Sequence, residues 1–191
     1  MVNIIVIPDI RHNDLFDPFE PKAPANIIAD IETFLAERIP AYASVTVKNA
    51  HYVPLKVRFA VRFQTGVDEG YARQQLNDEL NRFLSPWAYD VAGDIVIGGR
   101  VYANVIVNFI EERPYVDFVA EIRLFKSEDH HTYTLIQSSG AEGYWVEPAN
   151  PDGVLVAARF HEIDIITETG YEEKNFQGIN YMRIELDFIV G

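Results

Sequence analysis

Leu55-Lys56-Val57-Arg58-Phe59-Ala60-Val61-Arg62-Phe63 is the stretch from which the rest of the chain can be read. Every odd position is apolar, and the even positions hold Lys, Arg, Ala and Arg. Strict period-two alternation specifies a strand with one buried face and one wet, basic face. Moving outward, Thr65-Gly66 breaks the run, and Asp68-Glu69 open a pattern in which Ala72, Leu76, Leu80, Phe83 and Leu84 share one helical stripe. The carboxylates suit the positive end of that helix and Arg82 suits the negative end. Ser85-Pro86-Trp87 stops it, because proline disfavours helical backbone at the residue before it.

Upstream, a similar plan is visible. Val2 to Ile7 is a short apolar run bounded by Pro8 and reads as a strand. Asp9 to Lys22 reads as a loop, broken by Pro18 and Pro21, with Leu15, Phe16 and Phe19 tucked against the body. Pro24 is placed for a first helical turn, and Ile27, Ile28, Ile31, Phe34 and Leu35 form an apolar face that Arg38 and Ile39-Pro40 bring to an end. Ala43 to Val47 reads as a strand, and a connection containing Pro54 leads into the opening stretch. Two units of extended segment, amphipathic helix and extended segment suggest a split β-α-β pair of the ferredoxin-like kind. In that arrangement the helices at Pro24–Arg38 and Asp68–Leu84 cover one face of a sheet containing Leu55–Phe63 and Val116–Leu124.

Downstream, Gly93, Gly98 and Gly99 make Val91–Arg100 a tight loop or hairpin, and Tyr102, Val105, Ile106, Phe109 and Ile110 follow helical spacing up to Pro114. Val116, Phe118, Ala120, Ile122 and Leu124 then alternate along a long strand. Strands are expected at Thr132–Gln137, Gly143–Val146, Val154–Ala158, Glu162–Thr167 and Tyr181–Val190. Turns fall at Ser138-Ser139-Gly140, Asn150-Pro151-Asp152-Gly153 and Thr169-Gly170. The reading is an α+β chain, with a body of two β-α-β-like units over residues 1–125 and a β-rich C-terminal region over 126–191.

Composition narrows the function. The chain has 191 residues and is 48% hydrophobic, enough for a real core rather than global disorder. A net charge of −13 argues against nucleic acid or an anionic membrane as the main partner, since binding phosphates needs clustered basic surface. There is no cysteine, hence no disulfide framework, thiol nucleophile or Cys-based zinc site. No apolar run approaches the roughly 18 residues of a membrane span, and no basic segment precedes an apolar core at the N-terminus, so neither membrane insertion nor a secretory signal is expected.

Several segments together resemble a known family. Val57 to Phe63 followed by Leu80-x-x-Phe83-Leu84-Ser85-Pro86-Trp87-Ala88-Tyr89-Asp90 is similar to the C-terminal part of baseplate J-like proteins. So are Gly98-Gly99-Arg100-Val101-Tyr102, the run Val105 to Asp117 with its Glu111-x-x-Pro114-Tyr115-Val116-Asp117 ending, and Val154 to His161. These proteins are wedge components of contractile phage tails and of bacterial contractile injection systems. The resemblance implies a structural, non-enzymatic subunit assembled in the cytoplasm into a phage-tail or injection-system particle. Its partners would be other wedge proteins and copies of itself, joined in a ring around the tail tube that rearranges when the sheath contracts. No cofactor or metal is expected. Two other classes stay open from the residues: a carbohydrate-binding module using the aromatic tail, and a hydrolase.

The chemistry a hydrolase would need is thin. His130-His131 lie beside Glu128 and Asp129, and His161 precedes Glu162 and Asp164, but none has the spacing of a helical metal motif and a solvated charged loop is the simpler reading. Ser138-Ser139-Gly140 lacks the strand-turn-helix frame of a nucleophile elbow. Gly93 to Gly99 lacks the Lys-Ser/Thr of a phosphate loop, and nothing sets the separation of Glu111-Glu112 or Glu172-Glu173 that acid/base chemistry needs. Aromatic groups are the stronger signal. Trp87 and Tyr89 follow the helix beside Pro86, while Tyr144-Trp145 and Phe160 sit in the tail. They either fill the core or anchor a protein interface, where Trp, Tyr and Arg dominate hot spots. The interface candidates are Trp87, Tyr89, Tyr115, Trp145, Arg58 and Arg62, with the Trp87–Asp90 loop foremost. Lys56, Arg58 and Arg62 are either plain solvated charges or a basic stripe for an acidic neighbour.

Overall fold

A computed structural model describes residues 2–9, 17–40, 42, 44–90, 93–137 and 144–167. Leu15, Phe16, Ser138-Ser139-Gly140, Gly143, Thr169-Gly170, Glu172-Glu173 and the strand expected at Tyr181–Val190 lie outside the described residues. The architecture is α+β. In chain order the elements are β1 (Val2–Val6), α1 (Ala25–Ala36), β2 (Val45–Asn49), β3 (His51–Phe63), α2 (Glu69–Leu84), β4 (Val101–Tyr102), α3 (Ala103–Glu111), β5 (Val116–Lys126), β6 (Thr134–Leu135), β7 (Trp145–Val146), β8 (Gly153–Ala157) and β9 (Glu162–Ile165).

Strand β3 is the axis. Val57, Phe59 and Val61 are buried while Arg58 and Arg62 face outward, as the alternation requires. Strand β5 runs antiparallel along one side with β6 beyond it, and β8 and β9 run parallel to β3 in succession along the other side. Strands from the region read as a β-rich appendage therefore complete the main sheet, and a boundary after Phe125 falls inside β5. A short antiparallel pair, β4 with β7, stands apart.

Strand β3 begins earlier than its sequence suggests, because it runs through Pro54. A proline in a central strand loses a ladder hydrogen bond. Here the missing donor faces the end of β5, where Ser127 N still donates to Pro54 O at 3.0 Å, so only one bond of that pair is lost. Strand β5 departs from its expected alternation for a different reason. Its register against β3 shifts twice, between Arg58 and Ala60 and between Arg62 and Phe63. Two residues then oppose one, and at the first shift Glu121 takes a left-handed φ of 53°. The phase flips: Val119 is buried and Phe118 turns outward, stacking under the Arg62 guanidinium at 4.3 Å.

The helices that cover the main sheet are α2 and α3. Helix α2 is capped by Asp68, whose carboxylate accepts from Tyr71 N at 2.8 Å, and it buries Ala72, Leu76, Leu80 and Leu84 against β8 and β9. Helix α3 lies on β5, and Phe83 and Phe109 stack at 4.2 Å to join the two helices. The expectation that α1 and α2 share a sheet face does not hold. Strands β1 and β2 pair in parallel as a separate two-stranded sheet, and a parallel pair needs a crossover over its own face. Helix α1 is that crossover. Ile5 and Ile7 attach the small sheet to the main core.

Between β8 and β9 the chain leaves the ladder, and a polar stripe on α2 secures it. Ala157 N donates to Ser85 Oγ at 2.7 Å, Asn77 Nδ2 and Asn81 Nδ2 donate to Arg159 O at 3.2 and 3.1 Å, and His161 N donates to Asn77 Oδ1 at 2.9 Å. Asn77, Asn81 and Ser85 recur at helical spacing, so one stripe serves all of these bonds. On the sheet side, Val57 N donates to His161 Nδ1 at 3.1 Å, so an imidazole stands in for a missing backbone acceptor.

Candidate protein interface

The turn after α2 begins at Ser85, whose φ of −138° ends the helix, and Pro86–Ala88 form a single 3-10 turn. Trp87 drops from this turn into the core and is 5% exposed, with an indole Nε1 that has no hydrogen-bond partner among the described residues. Gly93 packs on the same turn so closely that a Cβ there would lie 2.5 Å from Trp87 N. Trp87 thus anchors the loop from below, and the aromatic ring the loop offers to solvent is Tyr89, 43% exposed.

Tyr89 lies in a cluster assembled from four separate segments. Its ring meets the edge of Phe19 at 5.8 Å, with the Arg82 guanidinium 4.9 Å from the ring centre. Arg159 covers the Phe19 ring at 5.1 Å and pairs with Asp17 at 2.6 Å. Beside Arg159, in the crossover between β8 and β9, Phe160 is 79% exposed. Burial raises the Tyr89 phenol above its ordinary range, Asp78 adds to the rise, and the charges of Arg82 and Arg159 oppose it. The phenol is therefore a neutral hydrogen-bond donor at physiological pH. The accessible Tyr89 ring, two arginines and a nearby pair of carboxylates, with exposed Phe160 next to Arg159 in the chain, have the composition of a protein hot spot.

The other expected interface residues are engaged within the chain. Arg58 pairs with Glu162 and Asp164 at 3.7 and 3.5 Å, Lys56 with Glu162 at 3.1 Å, and Arg62 with Asp117. The basic face of β3 is thus answered by acidic residues on β9 and β5, which also offset the like charges of Arg58 and Arg123 opposite each other. Tyr115 donates to Glu79 Oε2 at 3.0 Å and, with the Arg113–Glu79 pair, ties α2 to the start of β5. Trp145 packs under the Arg100 guanidinium at 4.3 Å, opposite Tyr102 in the β4–β7 pair, and Tyr102 and Val105 on α3 are 39% and 46% exposed.

Among the described residues, His51, His130 and His161 each make a separate contact. His51 contacts Glu128 at 3.3 Å and His130 contacts Glu20 at 3.2 Å. Backbone N–H groups of Thr132 and His131 hold the Asp129 carboxyl far below the ordinary range and fix the 127–132 loop. His161 Nε2 is buried with no hydrogen-bond partner among the described residues, and burial pushes that imidazole down to about 4, with Lys56 acting in the same direction. Among the described residues no cluster of three or more His, Asp or Glu side chains could hold a metal ion. A depression of about 80 Å³ lined by Arg58, Phe59, Ala60, Glu121, Arg123 and Asp164 is well below the roughly 300 Å³ at which small-molecule sites begin. What sequence reasoning missed is the conjunction of Phe19, Tyr89, Arg82 and Arg159, with exposed Phe160 next to Arg159 in the chain. Its only advance signal was that Tyr89 and Phe160 are aromatic residues in turn contexts.

Comparison with known proteins bears on what such a surface is for. A family model described as baseplate protein PVC11-like matches residues 1–146 of this chain. Among curated proteins no sequence matches. A chain in the cryo-EM structure of the anti-feeding prophage (AFP) baseplate, 6-fold symmetrised, is similar in fold, with a TM-score of 0.56 and 20% identity over 84% of this chain. The present chain spans 29% of the length of that chain.

Proposed function

Because this chain belongs to the PVC11-like family of baseplate proteins, we propose that it is a non-enzymatic structural subunit of a baseplate wedge in a contractile injection system or contractile tail. The family match over residues 1–146 carries the reading. The baseplate J-like segments quoted above support the wedge assignment. Its partners are neighbouring wedge proteins and further copies of itself, and it is built into the particle in the cytoplasm. In this role the chain supplies geometry: a sheet closed by α2 and α3 holds surface groups at fixed positions, and rigid positioning lowers the entropy cost of each contact. The cluster of Tyr89, Phe160, Arg82 and Arg159 is the preferred contact. Trp87 acts indirectly by fixing the loop, Tyr115 by fixing α2 to β5, and Arg58 and Arg62 by setting the charge pattern of the outer sheet face. Trp145 with Tyr102 and Val105 forms a second surface. Many weak contacts of this kind become strong in a ring through multivalency.

The test is genetic and structural. A strain lacking the gene should yield no particles with complete baseplates, and a tagged copy should restore them and appear at fixed stoichiometry in purified particles. Normal particles assembled without the protein would refute the assignment.

A further inference from the structure

We propose that His161 is an acid-sensitive latch on the β8–β9 crossover, residues 158–161, so that protonation of its ring loosens the segment that carries Arg159 and Phe160. Since the cluster around Tyr89 and Arg159 is the interface proposed above, the latch regulates that surface.

The ring occupies a gap in the ladder. Strand β8 flanks β3 from His51 to Leu55, and β9 flanks it from Arg58 to Val61. Ala158 N donates to Leu55 O at 2.9 Å and Ile166 N to Val61 O at 2.8 Å, so the odd-numbered backbone groups of β3 face this side. Val57 falls in the gap between the two strands, and its N–H donates to His161 Nδ1 at 3.1 Å. A ring nitrogen that accepts carries no proton, so the neutral imidazole holds its proton on Nε2. Protonation places a second N–H at Nδ1, facing the Val57 N–H. Two donors then oppose each other, and the bond between crossover and β3 is lost.

The surroundings give the charged ring nothing in exchange. His161 Nε2 is buried with no hydrogen-bond partner among the described residues. The charge that faces the ring is Lys56 on β3, which repels an added proton and is itself paired with Glu162 on β9 at 3.1 Å. Helix α2 presents Asn77 and Asn81, which do not titrate. Opening the crossover returns the ring to water and to its ordinary value of 6.5 from the folded value of about 4, so acid favours the open form between those values. The rest of the joint is slender. It rests on Asn77, Asn81 and Ser85, and Asn81 Oδ1 is also buried with no partner among the described residues. Unpaired buried polar atoms offset part of what these bonds contribute. A local opening therefore does not require the sheet to unfold. Its consequence is at the surface: Arg159, which pairs with Asp17 and covers the Phe19 ring, is withdrawn together with Phe160.

Amide hydrogen exchange on the full chain tests this, expressed as protection factors so that the pH dependence of the exchange chemistry cancels. The amides of Val57 and His161 report the latch. Gln64, which donates to Tyr115 O at the end of β3, and buried Ile110 in α3 report the body. From pH 7 to pH 4.5, protection at Val57 and His161 should fall roughly fiftyfold, while Gln64 and Ile110 stay constant. In His161→Gln, whose side-chain oxygen can accept from Val57 N–H but does not titrate, the fall should vanish. Protection at Val57 and His161 that is independent of pH in wild type would overturn the proposal. So would an equal fall at Gln64 and Ile110, which is unfolding of the whole chain, or the same fall in His161→Gln. Should that variant fail to fold, an NMR titration of wild type takes its place. The His161 ring and the Val57 amide should then shift with one midpoint, and a ring that titrates without moving that amide would overturn the latch. Neither measurement involves a partner, so the latch can fail while the interface stands, and the reverse.

Discussion

Strand β3 and helix α1 are equally clear apolar patterns with opposite outcomes. Val57, Phe59 and Val61 are at most 1% exposed, whereas α1 buries none of its residues in this chain. The difference lies in what surrounds each pattern. Strand β3 has a ladder on both sides and two helices over one face, while among the described residues α1 rests on two strands. A periodic apolar stripe specifies the element and the face to be covered, but the number of covering partners depends on contacts distant in sequence. Where partners are missing, apolar surface remains for something else to cover.

The sharpest way to break this comparison is to truncate matched aromatic residues. Phe59→Ala should cost about 3–5 kcal/mol, whereas Phe34→Ala on the exposed flank of α1 should cost less than about 1 kcal/mol. Denaturant midpoints at constant m-value measure both. Equal losses would mean that α1 is as enclosed as β3.

A second pair separates anchor from contact within one turn. Trp87→Ala should cost about 3–5 kcal/mol because it empties a core position. Tyr89→Ala should cost about 0.5–1.5 kcal/mol, the value of an aromatic pair, because it loses mainly the Phe19 edge contact. Thermal unfolding of the two variants side by side decides the matter, and equal destabilisation would place Tyr89 in the core as well.

Much of the β3 half was readable from sequence because its determinants are local. Arg58 and Arg62 mark the outer face, Asp68 caps α2, and Ser85-Pro86 ends it. Phe118 was misplaced because a β-bulge reverses the phase of a strand without changing its composition. The destination of α1 was hidden because β1 pairs with β2 rather than with β3, a choice made between backbones. At the candidate interface, Tyr89 was legible as an aromatic residue beside a proline turn. Its neighbours Phe19, Arg82 and Arg159 were not, since only the fold brings segments this far apart together.

The join between α2 and the main sheet should respond to pH. His161 has a folded-state value of about 4 against an ordinary 6.5, so the unfolded chain binds the proton first as pH falls. The stability contributed by the neutral ring is full above about pH 6.5, declines between 6.5 and 4, and is gone below about 4. Its size is on the order of 3 kcal/mol. Urea unfolding across that range should show the slope, and His161→Gln should flatten it. An unchanged slope in the variant would mean that His161 does not hold the β8–β9 crossover in its neutral form.

The smallest effect is expected on the outer sheet face. Glu162→Gln weakens pairs with Lys56 and Arg58 that are partly exposed, and should cost less than about 1 kcal/mol with a further reduction at high salt. A larger, salt-independent loss would show that this face is enclosed in the protein as it exists in solution.

The most direct measurement is baseplate assembly with Tyr89→Ala/Phe160→Ala introduced into the intact particle-producing system. The doubly substituted protein should remain folded and soluble, and the yield of particles with complete baseplates should fall well below wild type. Wild-type yield with this folded variant would contradict the account, because the exposed aromatic cluster would then have no part in holding the assembly together.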